Sequence, residues 1–93
     1  MSHHKRSSVY YALRDAKIRH RSAEDTTNLA LFAHMAAENA LKVASETPNV
    51  DATLLAAIQL TVTQCEKAAK DAQEKFLRAN MELAAARRRR RER

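Results

Sequence analysis

Six of the last seven residues of this 93-residue chain are arginines, Arg87–Arg91 and Arg93, interrupted only by Glu92. Guanidinium forks match phosphate oxygens bidentately, and displacing condensed counterions makes such binding strong at low salt. The run is therefore a candidate phosphate grip on RNA or DNA. It can also be read as a solvated tail, a nuclear targeting signal, or cations placed where a helix macrodipole favours them. A second basic group, Arg14, Lys17, Arg19 and Arg21, follows the neighbouring Tyr10 and Tyr11. Tyrosines among basic residues can stack on bases. They more often close a helical core with their rings, and adjacent positions on a helix lie about 100° apart, so one of the pair is expected to face inward.

Other reactive side chains are sparse. His3, His4, His20 and His34 show no spacing that completes a zinc site. Ser2-His3-His4 at a free amino terminus can take square-planar Cu²⁺ or Ni²⁺, but so short a pattern does not carry a metal function. Cys65 falls on an apolar helical face, where cysteine acts as a small hydrophobe. Lys67 and Lys70 point away from it, and no basic partner is in place for a thiolate. The chain has no glycine at all, which excludes Walker-type and dinucleotide phosphate loops. The expectation is a binding protein and not an enzyme, with no cofactor, no metal and no small-molecule substrate.

The elements that position these residues are expected to be helices. There is one proline and no glycine, and Ala, Leu, Lys, Arg, Glu and Gln dominate. Ser7 or Ser8 can cap a helix over 9–21, and Ser22-Ala23-Glu24-Asp25 can cap a second one. No large apolar residue lies between Arg19 and Asn28, so the chain either breaks there or passes through as exposed helix. Over 24–46, Leu29, Phe32, Ala36, Ala40 and Val43 share one face, which Leu31, Met35 and Leu41 widen. That width predicts neighbours on two sides. Thr47-Pro48-Asn49-Val50-Asp51 is the one stop, with Asp51 a good N-cap for a helix starting at Ala52.

From Ala52 a single long helix is expected. Leu55, Ile58, Val62, Cys65, Ala69, Ala72, Phe76, Ala79, Leu83 and Ala86 alternate in steps of three and four, a seam of about four and a half heptads. Glu66–Lys70, Asp71–Lys75 and Glu74–Arg78 are spaced as i,i+4 pairs on its solvated face. The fold class is therefore all-α, an antiparallel hairpin of two long helices in a single domain. Its parts are a basic segment 1–22, a helix 23–47, a turn 48–51, a heptad helix 52–86 and an arginine-rich end 87–93. An Ala-rich seam buries little area, and burial stabilises by about 25 cal/mol per Å². Self-association into a four-helix bundle, as a homodimer, or docking on another protein is expected to supply more.

Charge is unevenly placed. Residues 1–21 carry six basic side chains against Asp15, residues 22–86 carry five against nine acidic ones, and residues 87–93 carry six against Glu92. Folding at Pro48 puts positions 10 and 88 both near 55 Å from the turn, at about 1.5 Å per residue. The prediction is a rod with one strongly positive pole and a mildly acidic shaft.

Two short resemblances bear on partners. Arg87–Arg93 resembles the arginine-rich helices of retroviral Rev-type RNA-binding proteins, over those seven residues. Thr47-Pro48-Asn49-Val50-Asp51-Ala52-Thr53-Leu54 is similar to the Pro-x-Val-x-Ala-x-Leu step of nodaviral suppressors of RNA silencing. That resemblance implies a helical dimer that binds double-stranded RNA along a four-helix bundle.

The leading expectation is a nucleic-acid binder, RNA favoured over DNA, using Arg14, Lys17, Arg19, Arg21, Arg87, Arg88, Arg89, Arg90, Arg91 and Arg93. The alternative is an adaptor, chaperone or inhibitor subunit that docks on another protein through its Ala-rich seam; an acidic protein surface is the other partner expected for the basic residues. A membrane-surface helix ranks last, because the basic segments lack the required apolar face. No run of about 18 apolar residues is present, the start MSHHKRSSVYY lacks a signal-peptide core, and one cysteine forms no internal disulfide. An intracellular location, cytoplasmic or nuclear, is expected.

Overall fold

The structure, a computed structural model, describes residues 2–92, with side chains described over 8–92. It is a hairpin of two helices, α1 over Ser2–Glu46 and α2 over Ala52–Arg91. They lie side by side in a rod of 73 × 16 × 13 Å. Among the described residues there is no strand.

The turn is built as its residues require. The Thr47 hydroxyl donates to the Val43 carbonyl at 2.6 Å, and its backbone N–H to the Ala44 carbonyl at 3.3 Å, closing α1. Asn49 then takes a left-handed backbone, φ 63°. Asparagine tolerates that region better than most residues, which matters in a chain without glycine. The Asp51 carboxylate accepts from the Thr53 N–H at 3.1 Å and caps α2.

The register is set by contacts between the helices. Thr27 lies against Ala72, with its hydroxyl 3.1 Å from the Ala72 carbonyl oxygen. Arg19 meets Glu82 at 3.0 Å, and His20 is hydrogen-bonded to Asn80 and tilted against the Phe76 ring. Counting by heptad steps from Thr27 and Ala72 sets Ala23 opposite Phe76, Ala16 opposite Leu83, and Leu13 opposite Ala86. Toward the turn it sets His34 opposite Cys65, Ala37 opposite Val62, and Leu41 opposite Ile58. Every residue so paired is buried or half-buried. In the pairs Ala23–Phe76, Ala16–Leu83, Leu13–Ala86 and Ala37–Val62 a larger residue of one helix meets an alanine of the other, so the axes can approach closely there without leaving voids. A cluster of buried apolar side chains, Leu13, Ala16, Leu83 and Ala86, lies far from the turn.

On α2 the seam Leu55, Ile58, Val62, Cys65, Ala69, Ala72, Phe76, Ala79, Leu83 and Ala86 is the face turned toward α1. On α1 two expectations change, and of the two courses open for residues 19–28 the helix takes the continuous one. The helix begins at Ser2, before the expected cap at Ser7 or Ser8, and runs through residues 19–28 without a boundary at 22/23. The inward residues of the stretch without large apolar side chains are nevertheless covered, because α2 brings Phe76 to Ala23 and Ala72 to Thr27. Thr27 is buried there, its hydroxyl donating to the Ala23 carbonyl at 2.7 Å as well as facing Ala72. Finally, the apolar face Leu29, Phe32, Ala36, Ala40 and Val43 points away from α2, with Leu29 70% and Phe32 68% exposed. The inward face is instead Ala30, Leu31, His34, Ala37, Leu41 and Ala44.

Candidate nucleic-acid interface

Because the helices are antiparallel and of similar length, the end of α2 lies beside the start of α1. The helix continues through Arg87–Arg91, past the last apolar seam residue, Ala86. Its C-terminal carbonyls favour cations, and Arg88–Arg91 occupy the last turn. Glu92 comes next, its N–H donating back to the Arg88 carbonyl at 3.1 Å.

Five cations come together on one side of this end. Lys17 of α1 and Arg87, Arg88, Arg90 and Arg91 of α2 line an open depression whose remaining lining residues are Leu13 and Ala84. Among the described residues no carboxylate lines it. The spacing explains the grouping. Lys17 comes just after the seam residue Ala16 on α1, Arg87 just after Ala86 on α2, and in an antiparallel pair such positions fall on the same edge. Arg88 and Arg91 continue the outer surface of α2, and Arg90 falls on the seam line beyond Ala86.

The other candidates are placed differently. Arg19 lines a separate depression with Ala23, Lys75, Arg78, Ala79 and Glu82, and its guanidinium is held by the Glu82 carboxylate at 3.0 Å. Arg14 lies over the Tyr11 ring at 5.1 Å, within 3.8 Å of Asp15. Arg21 and Arg89 are exposed and line neither depression. Arg93 lies outside the described residues. Tyr10 and Tyr11 both face outward, their rings edge to face at 5.5 Å. The expected inward tyrosine is absent because Val9 and Leu13 carry the seam here, which leaves Tyr10 beside it and Tyr11 on the outer side. Sequence patterning does not pick out Leu13 and Ala84 as part of the depression. Leu13 is four residues before Lys17, and Ala84 three before Arg87 and four before Arg88. That i,i+3 and i,i+4 spacing is the signal that could have found them.

Elsewhere, Cys65 is a half-buried free thiol in the seam. Glu66 pairs with Lys70 at 3.3 Å on the exposed face of α2, and His34 with Glu38 at 2.8 Å on α1. Among the described residues no three His, Cys, Asp or Glu side chains gather to hold a metal ion, and no helix is long and apolar enough to cross a membrane.

Compared with protein-family models, curated proteins and solved structures, the chain finds no match.

Proposed function

We propose that this protein binds nucleic acid through the basic end of its hairpin, with duplex RNA the favoured ligand and Lys17, Arg87, Arg88, Arg90 and Arg91 the principal grip. One observation carries the reading: five cations from two helices line a single depression, with no carboxylate among the described residues that line it. Like charges so placed repel one another, by about 1 kcal/mol per pair at 4 Å even in water. A phosphate backbone relieves that repulsion and releases counterions. Arginine fits the role better than lysine, because its fork takes phosphate oxygens two at a time. Arg14 and Tyr11 extend the surface on α1 with a guanidinium already stacked on a ring, an arrangement suited to a neighbouring base or sugar.

The acidic shaft supports binding at the end of the rod rather than along it. Nine carboxylates among residues 22–86 would repel phosphates lying on the shaft. Binding is measured by fluorescence anisotropy with duplex RNA, duplex DNA, single strands and poly-glutamate at 50 mM salt. The expected order places the duplexes first, duplex RNA tightest, and poly-glutamate last. Tighter binding of poly-glutamate would make the pole a dock for an acidic protein and overturn the nucleic-acid reading.

A further inference from the structure

The outer face of α1 carries a second apolar stripe. Leu29, Phe32, Ala36, Ala40 and Val43 lie on the side away from α2, flanked by Ala33 and Met35, and all seven are exposed. By the 100° step of a helix they fall roughly opposite the inward seam residues Ala30, His34, Ala37 and Leu41. The corresponding outer face of α2 is more broken: it presents Thr53, Ala57, Leu60, Gln64, Lys67, Asp71, Glu74, Arg78 and Met81, with Leu77 beside it, so charged residues separate Leu60 from Leu77 and Met81.

We infer that a second copy of this chain covers the stripe, packing α1 antiparallel against its partner's α1 about a two-fold axis near Ala36. Three observations point to a second copy. The first is self-complementarity. The stripe residues sit seven and four positions before Ala36 and four and seven after it. A two-fold at Ala36 sets Leu29 opposite the partner's Val43, and Phe32, the largest, opposite the partner's Ala40. Ala36 faces its own copy at the point of closest approach. An interface between identical subunits requires this property.

The second is area. The chain exposes 7469 Å², against about 5,400 Å² for a folded monomer of this mass. The elongated shape accounts for part of the surplus. The stripe itself presents on the order of 600 Å² of largely apolar surface, as large as the largest patches on monomers and close to the roughly 800 Å² per partner of a specific interface. The internal seam is thin, with no large side chain fully buried, so a second layer is where the missing burial can be made.

The third is charge. A parallel arrangement would lay two strongly positive ends side by side. The antiparallel one sends them in opposite directions. Position 14 is 22 residues from Ala36, about 33 Å, so the two basic ends stand roughly 65 Å apart. That is many Debye lengths at physiological salt. The overlapped middles carry the acidic shaft, whose Lys42 and Glu46 border the stripe.

Dimerisation is tested on the protein without nucleic acid, so that its failure and the failure of nucleic-acid binding are separate results. Sedimentation equilibrium at about 100 µM should give twice the chain mass. Phe32→Glu should weaken the dimer at least tenfold and leave the hairpin's helicity unchanged, because Phe32 does not support the internal seam. In a Cys65→Ala background, Ala36→Cys should form an intermolecular disulfide on mild oxidation. Ser22→Cys, on the same helical face but about 42 Å from its copy in the antiparallel pair, should not. A monomeric wild type would overturn the inference and reassign the stripe to a different protein or a lipid surface. Equal crosslinking at 22 and 36 would overturn the antiparallel geometry, and an unchanged dimer dissociation constant for Phe32→Glu, measured over a dilution series, would overturn the surface.

Discussion

Replacing Arg87, Arg88, Arg90 and Arg91 with glutamine should flatten the salt dependence of nucleic-acid binding. The magnitude comes from the number of cations in the depression. With Lys17 they make five. On B-form DNA each phosphate neutralised contributes about −0.9 to the slope of log K against log salt, so five predict roughly −4.5. Between 50 and 200 mM salt that slope lowers affinity by about 500-fold. With only Lys17 remaining the slope falls to about −1, and the same salt step costs less than about fivefold. Glutamine keeps helix propensity, although the four arginines also favour the α2 terminus through the macrodipole, by about 0.3–1 kcal/mol each. Circular dichroism on the variant must therefore show an intact hairpin before its slope is interpreted. Arg19→Gln is the internal control, because its guanidinium is already neutralised by Glu82, and it should move the slope by less than about one half. The assay is anisotropy on labelled duplexes at five salt concentrations. A wild-type slope shallower than about −1, or equal slopes for wild type and the fourfold variant, would refute the reasoning.

The remaining predictions concern the hairpin that positions this end. Phe76→Ala removes a half-buried ring that packs on His20 and fills the space opposite Ala23; it should cost about 2 kcal/mol and lower Tm by about 10 °C in a thermal melt. Thr27→Val keeps the volume but removes a hydroxyl donor buried between the Ala23 and Ala72 carbonyls, and urea titration should show a loss of about 1 kcal/mol. Asn49→Gly should be neutral or slightly stabilising, whereas Asn49→Val should cost about 1–2 kcal/mol, because only the latter resists a φ of 63°. Asp51→Ala should cost about 1 kcal/mol through the lost cap on the Thr53 N–H, read in the same titration.

Much of this architecture is legible in the residues. The turn announces itself through Pro48, Asn49 and Asp51, and the long helix through the unbroken three-four alternation from Leu55 to Ala86. The meeting of the two basic segments is implied by the equal distances of positions 10 and 88 from the turn. The pattern does not reveal which arginines share a surface. Run composition treats Arg87–Arg91 as equivalent, yet helical geometry turns Arg89 out of the depression that the other four line. Likewise Arg19 looks like Lys17 in the sequence. Only the approach of Glu82, 63 positions away, separates a paired cation from one left to face phosphate.

The inward face of α1 is harder to read, for a physical reason that also bears on assembly. The helix carries two stripes on opposite sides. By apolar content alone the outer one is the stronger: Leu29, Phe32 and Val43 with Ala36 and Ala40, against Leu31 and Leu41 with Ala30, Ala37, Ala44 and the polar His34. Packing selects the weaker stripe because α2 supplies the bulk. Phe76, Val62 and Leu83 need small residues opposite, and Ala23, Ala37 and Ala16 supply them in register. The small inward residues thus let α1 lie close to α2, and the large outward residues are left unspent. Apolar side chains of that size at regular heptad spacing, on a helix whose other face is already committed, are what a further helical layer requires. In the antiparallel dimer inferred above, the second copy would be that layer, and the basic ends would be directed away from the contact that joins the two hairpins.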